Sequence, residues 1–413
     1  MVPEVGRTSI DTSIDRATVA VEHDLIALRR EIHRRPELAG DEKNTAALVA
    51  DRLRAAGLDV STGVGGNGVV GILDGGGPGA TVAYRADMDA VAMDEDVPYE
   101  FRSQVAGAGH LCGHDIHTAI GVGVARVLAE VRAQLPGRVV FYFQPAEESL
   151  SGAQAMIDDG ALDLAGPQEI YALHCAHFDV GRFAVMPGLG LPGHDSFDLE
   201  LDGQDAPARA TEITARVGRL STVTPPTTPQ EHQDLLAALQ VEDGPMARFV
   251  SAGAGAGVDP NSSSTRVHGW VKAWPDDLYP GIRDQVAQLV REIGGPRAVE
   301  QLRFRESRFP AMVCSPDLSH AAAEHFRTTV GPDAVAVLRA CFPFNGEDFA
   351  HFLDRIPGAM FFLGVANPAA GLSGLVHTPT FAADERAIGI GTRAMAGWLA
   401  DRLLRRTSVR SIG

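Results

Sequence analysis

No apolar run in this 413-residue chain approaches the roughly 20 residues that a membrane-spanning helix needs. Segment 1–20 also lacks a basic stretch followed by an apolar one, the pattern of a secretory leader, so a cytoplasmic location is expected. Cysteine is scarce. Cys112, Cys175, Cys314 and Cys341 show no disulfide-framework spacing, which excludes a small cross-linked scaffold and fits a reducing compartment. Basic charge is in deficit as well: 36 Lys and Arg stand against 53 Asp and Glu, and the formal net charge of -17 disfavours nucleic acid and anionic lipid surfaces as partners. The acidic excess names no substrate, since charge of this kind serves mainly as solvated surface. Internal repeats are missing, and the one compositionally biased stretch is the Thr/Pro-rich segment 221–229.

What is present is enough chain for two domains, with 45% hydrophobic content to fill their cores. Apolar residues at helical spacing predict helices over 16–34 and 44–56, the first closed by Pro36 and the second by Gly57. Short apolar runs over 68–73 and 81–84, parted by a Gly-rich turn, predict buried strands. A helix over 118–133, a strand over 138–143, a helix over 152–159 and a strand over 169–174 continue the alternation. Such a sequence of elements implies an α/β domain whose helices cover a largely parallel sheet. Beyond Ser196 the pattern changes to strand 197–201, helix 230–240, strands 246–252 and 265–274, helix 277–293 and strand 302–309. That β-α-β-β-α-β order is the ferredoxin-like arrangement. The chain returns to α/β character over 317–328 and ends with a long helix over 388–404.

The chemistry-bearing residues lie at the ends of these elements. Gly109-His110-Leu111-Cys112-Gly113-His114-Asp115-Ile116-His117 concentrates a thiol and several imidazoles, and Gly113 gives the backbone freedom to bring Cys112 and His114 together. Glu147 and Glu148 follow the strand 138–143, His174 ends the strand 169–174, and His377 lies in Val376-His377-Thr378-Pro379. Any one of these histidines alone would be read as a packing or surface residue. Together, a Cys-x-His pair, a carboxylate and two further imidazoles suffice to hold one or two zinc-like ions. Adjacent Glu147 and Glu148 cannot point the same way, so one is a ligand and the other a base, and the spacing leaves open which is which. Alternation turns Cys175 away from His174 and into the core. Asp87 and Asp89 share a face after a strand and are placed to order a ligand imidazole, or else to cap a turn. Asp348 is read as an N-cap for a helix over 349–353. A metal ligand at His377 requires the last segment to rejoin the first domain, which makes the ferredoxin-like part an insertion: residues 1–194 and 313–413 form the catalytic domain and 195–312 the inserted one.

Taken in order, Arg29 to Leu38, Arg85 to Ala90, Cys112 to His117, Gln144 to Glu148, Gly346 to Phe349 and His377 to Phe381 resemble the M20 family of metallopeptidases over nearly the whole length, in particular its branch of aminoacylases, hippurate hydrolases and auxin-conjugate hydrolases. The resemblance implies a zinc-peptidase-like α/β catalytic domain with an inserted ferredoxin-like lid through which two copies dimerise. It implies metal ligation by Cys112, His114, Glu148, His174 and His377, with Glu147 as general base; Asp89 joins them through its own placement, as a residue that orders a ligand imidazole. The expected cofactor is one or two divalent ions, zinc first, with manganese, cobalt or nickel as alternatives.

The lid departs from that pattern. Where relatives carry a histidine that stabilises the oxyanion, this chain reads Gly203-Gln204-Asp205-Ala206-Pro207-Ala208-Arg209-Ala210 and then leads into a longer loop. An asparagine of the family is replaced by Gly257, before Val258-Asp259-Pro260, and an arginine by Lys272, which cannot give the same forked contact to a carboxylate. His194 is the first candidate to supply the missing donor, ahead of His232 and His268. The expected activity is hydrolysis of an amide bond in an N-acyl amino acid, a conjugate or a related small molecule, through a metal-activated water. Hydrolysis of another bond, a thioester or an aryl-amine C–N bond, is the alternative. A non-catalytic binding protein would have no need of Glu147.

Overall fold

The computed structural model describes residues 9–97, 99–188, 190–258 and 264–410. In chain order the elements are α1 (Ser9–Arg34), α2 (Lys43–Ala55), β1 (Asp59–Val64), β2 (Gly68–Asp74), β3 (Gly77–Asp87), α3 (His114–Val131), β4 (Pro136–Gln144), α4 (Gly152–Asp158), β5 (Glu169–Asp179), β6 (Phe183–Val185) and β7 (His194–Leu201). They continue with α5 (Ala206–Gly218), α6 (Pro229–Ala238), β8 (Phe249–Val258), β9 (Thr265–Trp274), α7 (Tyr279–Gly294), α8 (Pro296–Gln301), β10 (Arg303–Phe304), α9 (Pro316–Thr329), β11 (Val335–Val337), α10 (Ala350–Leu353), β12 (Gly358–Ala366) and α11 (Arg386–Arg410).

These elements fall into two compact units, one within Met1–Gly188, Cys314–Val337 and His351–Gly413, the other within Leu189–Val313 and Leu338–Ala350. Segment Leu338–Ala350 returns to the second unit, where the sequence pattern placed it with the catalytic domain. It does so through backbone contacts that leave no local pattern: the amides of Arg339 and Ala340 both donate to the carbonyl of Leu239, just beyond α6.

The first unit is built on an eight-stranded sheet of order β1-β2-β4-β3-β5-β12-β6-β11. Its centre, β4-β3-β5-β12, is parallel. Val139, Val140, Phe141, Tyr142 and Phe143 of β4 are all buried, as a strand covered on both faces requires. On α1, Ile10, Ile14, Val21, Leu25, Leu28 and Ile32 are buried at helical spacing, so the helix begins earlier than its apolar pattern first suggested. β1 is largely exposed, which is why hydrophobic alternation did not reveal it. α3 begins at His114 instead of 118, because Gly113, at φ 90°, turns the chain directly into the helix. Asp87 pairs with Gln144 where β3 and β4 end, and His174 lies on β5 opposite Phe362 of β12. Carboxyl ends of parallel strands in an open sheet are where ligands are met.

The second unit has an antiparallel sheet of order β10-β7-β9-β8. Phe197, Leu199 and Leu201 of β7 and Val267 and Val271 of β9 form one core with α5 and α7. Here the expected long loop after Gly203 is corrected: Ala206, Ala210, Ile213 and Val217 are buried along one face of α5, which Pro207 helps to start. α5, not α6, is the first helix of the ferredoxin-like order. Just before α10, the amide of Phe349 donates to Glu347 Oε1 at 2.9 Å. Gly257 is exposed near the end of β8, and Asp259 and Pro260 of the same turn lie outside the described residues.

Candidate metal centre

Asp87 ends β3 fully buried and is gripped from two sides. Arg85 Nη1 donates to its Oδ2 at 2.6 Å, and His117 Nδ1 to its Oδ1 at 2.6 Å. Burial alone would raise the Asp87 pKa, but His114, His117 and Arg85 outweigh it and hold the carboxylate well below the usual range.

The helix that Gly113 starts presents His114 in its first turn, and a side chain at Gly113 would sit 2.9 Å from Cys175 Sγ. His114 Nδ1 lies 2.9 Å from the carbonyl of Asp89 and 3.3 Å from its carboxylate, so that nitrogen carries the proton and donates. The other nitrogen, Nε2, is then free to act as a ligand. It is buried without a hydrogen-bond partner, 3.7 Å from Glu148 Oε1, 3.8 Å from Asp87 Oδ2 and 3.9 Å from Glu147 Oε2. Asp89 does a second job: its Oδ2 accepts the amide of Glu148 at 2.9 Å.

A second group adjoins the first. Cys112 Sγ lies 3.4 Å from His174 Nε2 and 3.2 Å from His377 Nε2, and His377 Nε2 lies 3.5 Å from Glu148 Oε1. His174 Nδ1 donates to the carbonyl of Cys175 at 2.8 Å, which leaves Nε2 for the thiol side. His377 holds a left-handed backbone, φ 57°, fixed by its amide bonding the carbonyl of Leu111 at 2.7 Å. Non-glycine residues are held in this region chiefly where the surroundings need it. All five residues singled out from the resemblance as ligands therefore converge, with Glu148 common to the group Cys112, Glu148, His377 and to the group His114, Glu147, Glu148.

These residues fit a divalent metal. Two atoms bound tetrahedrally at about 2.0–2.3 Å from one zinc stand roughly 3.3–3.8 Å apart, and most of the separations above fall in that span. His114 Nε2 and Glu148 Oε1 are both buried and orphaned, a costly arrangement unless a cation completes it. The electrostatics agree. Burial lowers the His114 pKa, but Asp87, Asp89 and Glu148 outweigh it and lift it to about 10, while burial and then Glu148 and Glu147 push the Cys112 thiol well above its ordinary value. The pocket is thus over-supplied with negative charge, and ligation requires both protons to leave.

His117 lies close enough to Asp87, His114 and His174 to be counted with them. Its hydrogen bonds set it apart: Nδ1 donates to Asp87, and Nε2 accepts the amide of Cys175 at 2.7 Å. With both nitrogens used, it orients Asp87 and β5. Asp115 of the same motif faces the other way, taking Arg29 Nε at 2.7 Å and His33 Nδ1 at 2.7 Å and so tying the first turn of α3 to α1. Glu37 accepts the amides of Asn44 and Thr45 at 3.0 and 2.8 Å, which caps α2. Arg29, His33 and Glu37 of the motif from Arg29 to Leu38 thus tie α1 to α3 and cap α2.

His194 lies in the second unit, at the start of β7 and in register with Lys272 of β9. Its ring stacks on Phe309 at 4.7 Å, and its Nδ1 is buried without a partner. Burial, then Lys272, lowers its pKa to about 4, so the ring is neutral at physiological pH. Lys272 Nζ donates to the carbonyl of Phe344 at 2.6 Å, and burial lowers its pKa to about 8. Among the described residues, no helix is long and apolar enough to cross a membrane.

Comparison with known proteins bears on this arrangement. A sequence model described as Peptidase family M20/M25/M40 matches residues 83–401. Thermostable carboxypeptidase 1 of Saccharolobus solfataricus is 30% identical over 390 residues, covering 91% of this chain and 94% of its own. IAA-amino acid hydrolase ILR1-like 6 of Arabidopsis thaliana is 29% identical over 382 residues, covering 91% and 79%. The crystal structure of Bacillus subtilis YXEP protein, described as a dinuclear metal binding peptidase from the M20 family, superposes with a TM-score of 0.71 at 26% identity, covering 93% of this chain and 99% of that one.

Proposed function

Because the chain belongs to peptidase family M20/M25/M40 and is a hydrolase of C–N bonds, we propose that it cleaves the amide bond of an N-acyl amino acid, an amino-acid conjugate or a related small molecule, with Glu147 as general base. One observation carries the reading. His114 Nε2 faces Glu148 Oε1 at 3.7 Å and Glu147 Oε2 at 3.9 Å, buried and without a hydrogen-bond partner. Glu148 Oε1 lies 3.7 Å from His114 Nε2 and 3.5 Å from His377 Nε2, between two proposed ligands, which supports Glu148 as the ligand and Glu147 as the base.

Cys112, His114, Glu148, His174 and His377 would hold one or two ions, and thiolate with imidazole favours zinc. When bound, a divalent ion supplies Lewis acidity toward water and the scissile carbonyl. Glu147 takes the proton of the attacking water on its carboxylate and returns it to the leaving amine nitrogen. Asp89 fixes both the tautomer of His114 and the amide of Glu148, so it holds ligand and turn in one geometry. In place of the missing lid histidine we propose His194 as the oxyanion donor, a role that rests on the departure of the lid sequence alone.

The names of the relatives, a carboxypeptidase and an IAA-amino acid hydrolase, support an acyl–amino acid or peptide substrate. Lys272 offers a carboxylate one point of contact, not a fork. A panel of N-acyl amino acids and their α-amides tests this. Turnover of either series supports amide hydrolysis, a preference for the α-amides indicates a substrate without a free carboxylate, and no turnover of any member by zinc-loaded protein overturns the reading. The second unit would form the homodimer, since β8 is an edge strand whose end, Gly255 to Val258, is exposed.

A further inference from the structure

The two glutamates of the proposed centre ride on a turn that ordinary side chains resist. Ala146 has φ 54° and Leu150 φ 53°. Gly152 packs so closely under the turn that a Cβ there would lie 1.6 Å from the carbonyl oxygen of Pro145. The amides of Ser151 and Gly152 both return to the carbonyl of Ala146, at 3.2 and 3.1 Å. Alanine in the left-handed region is held there against a steric penalty that glycine escapes, and beside the bonds of the turn itself something outside the turn holds its amide.

That something is Glu42. Its side chain, fully buried just before α2, has Oε1 2.8 Å from the amide of Ala146 and 2.7 Å from the amide of Gly40, while Oε2 accepts Asn67 Nδ2 at 3.1 Å. Asn67 Nδ2 also donates to the carbonyl of Gly40 at 2.9 Å, which fixes the carboxylate from below. Two carboxylates therefore grip alternate amides on either side of Glu147: Glu42 holds Ala146, and Asp89 holds Glu148. Neither bond is local, since the acceptors come from the loop before α2 and from the loop after β3.

We infer that Glu42 is a positioning residue, whose carboxylate keeps Ala146 in its left-handed conformation and thereby sets Glu147 and Glu148 toward His114. This rests on the roles proposed above for those two glutamates. Among the described residues, Glu42 belongs to none of the candidate ligand groups; it acts through the backbone of residue 146.

The test is a double-mutant cycle on the full chain, read by zinc affinity against a competing chromophoric chelator and by kcat and KM on a turned-over amide. Glu42→Ala should weaken zinc binding and lower kcat by about 10–100-fold, the range for groups that orient ligands, with KM little changed. Ala146→Gly removes the left-handed penalty, so in that background the same Glu42→Ala change should cost about five- to thirtyfold less. Glu42→Gln, which keeps an acceptor for the Ala146 amide but turns an NH2 toward Asn67 Nδ2, should lose less of both readouts than Glu42→Ala. If Glu42→Ala does not fold, Glu42→Asp, with its shorter reach and unchanged charge, should show the same relief by Ala146→Gly. Unchanged zinc affinity and kcat in Glu42→Ala would overturn the inference. An equal loss in both backgrounds would overturn it too, because Glu42 would then act only through Gly40 and Asn67. Should Glu147→Gln prove fully active, the base assignment fails by itself, and zinc affinity still reports on Glu42 through Glu148.

Discussion

His117 Nδ1 and Asp87 Oδ1 stand 2.6 Å apart, and this bond divides two histidines of one helix into different trades. His114 uses Nδ1 on Asp89 and presents a free, buried Nε2, whereas His117 spends its second nitrogen on the amide of Cys175. His114→Ala should therefore abolish tight zinc binding. His117→Ala should leave zinc stoichiometry intact with affinity reduced about 10–100-fold, and should lower the unfolding free energy by about 2–4 kcal/mol, since Asp87 and the Cys175 amide lose their partner. Urea unfolding beside zinc titration checks both. A His117→Ala protein of normal stability that takes up no zinc would make His117 a ligand.

Glu147 and Glu148 should separate in the same way. Glu147→Gln keeps the ligand set and should bind zinc near wild-type strength while kcat falls by about 10²–10⁴-fold. Glu148→Gln should lose zinc first and activity in consequence. Wild-type turnover by zinc-loaded Glu147→Gln would remove the proposed base.

His194→Ala should lower kcat by about 10²–10³-fold, the usual cost of one oxyanion donor, with zinc content unchanged, and His194→Gln should recover part of it. Unchanged kcat in His194→Ala would leave that role to other groups.

An acid-stability experiment can be aimed at Glu169, whose carboxylate is buried at the start of β5 and bonded by Arg402 Nη2 at 2.8 Å, Arg406 Nε at 3.1 Å and Tyr171 Oη at 2.7 Å. Burial would raise its pKa, yet the hydrogen bonds from Arg402 and Tyr171 outweigh that and place it below the ordinary 4.5. The group is more acidic folded than unfolded. Its stabilising contribution is then complete above pH 4.5 and is lost as pH falls through the folded value. Glu169→Gln should be less stable than wild type at pH 7, and the gap should narrow as both are taken below pH 4.5. Denaturant midpoints across that range would show a constant gap if the ion pairs contribute nothing.

The proposed dimer makes β8 the point of attack. An added side chain at Gly255 meets nothing within 4 Å, so Gly255→Lys should fold normally while placing a charge beside the exposed edge strand. Light scattering at micromolar concentration should give the mass of two chains for wild type and a shift toward one chain for the variant. A monomeric wild-type protein would count against dimerisation.

The sequence by itself determined the α/β alternation, the change to a ferredoxin-like order after Ser196, and the short list from which a metal site could be drawn. Those features are local. A run such as Val139 to Phe143 declares a buried strand by its own composition, and Cys112-Gly113-His114 announces ligand chemistry within three positions. α5 was also written in the sequence, at Ala206, Ala210, Ile213 and Val217, but two of its four buried positions are alanines, whose small side chains give a weak apolar signal. Only the tertiary structure decided which polar atoms were already spent. Nothing in the motif says that His117 is used up by Asp87 and Cys175, that Asp89 serves both His114 and Glu148, or that Glu42 reaches the amide of Ala146. Periodicity reports the face on which a side chain lies, whereas a hydrogen bond at 2.6–2.9 Å between distant segments depends on how strands and loops are brought together, and the chemistry of the site rests on the atoms those bonds leave free.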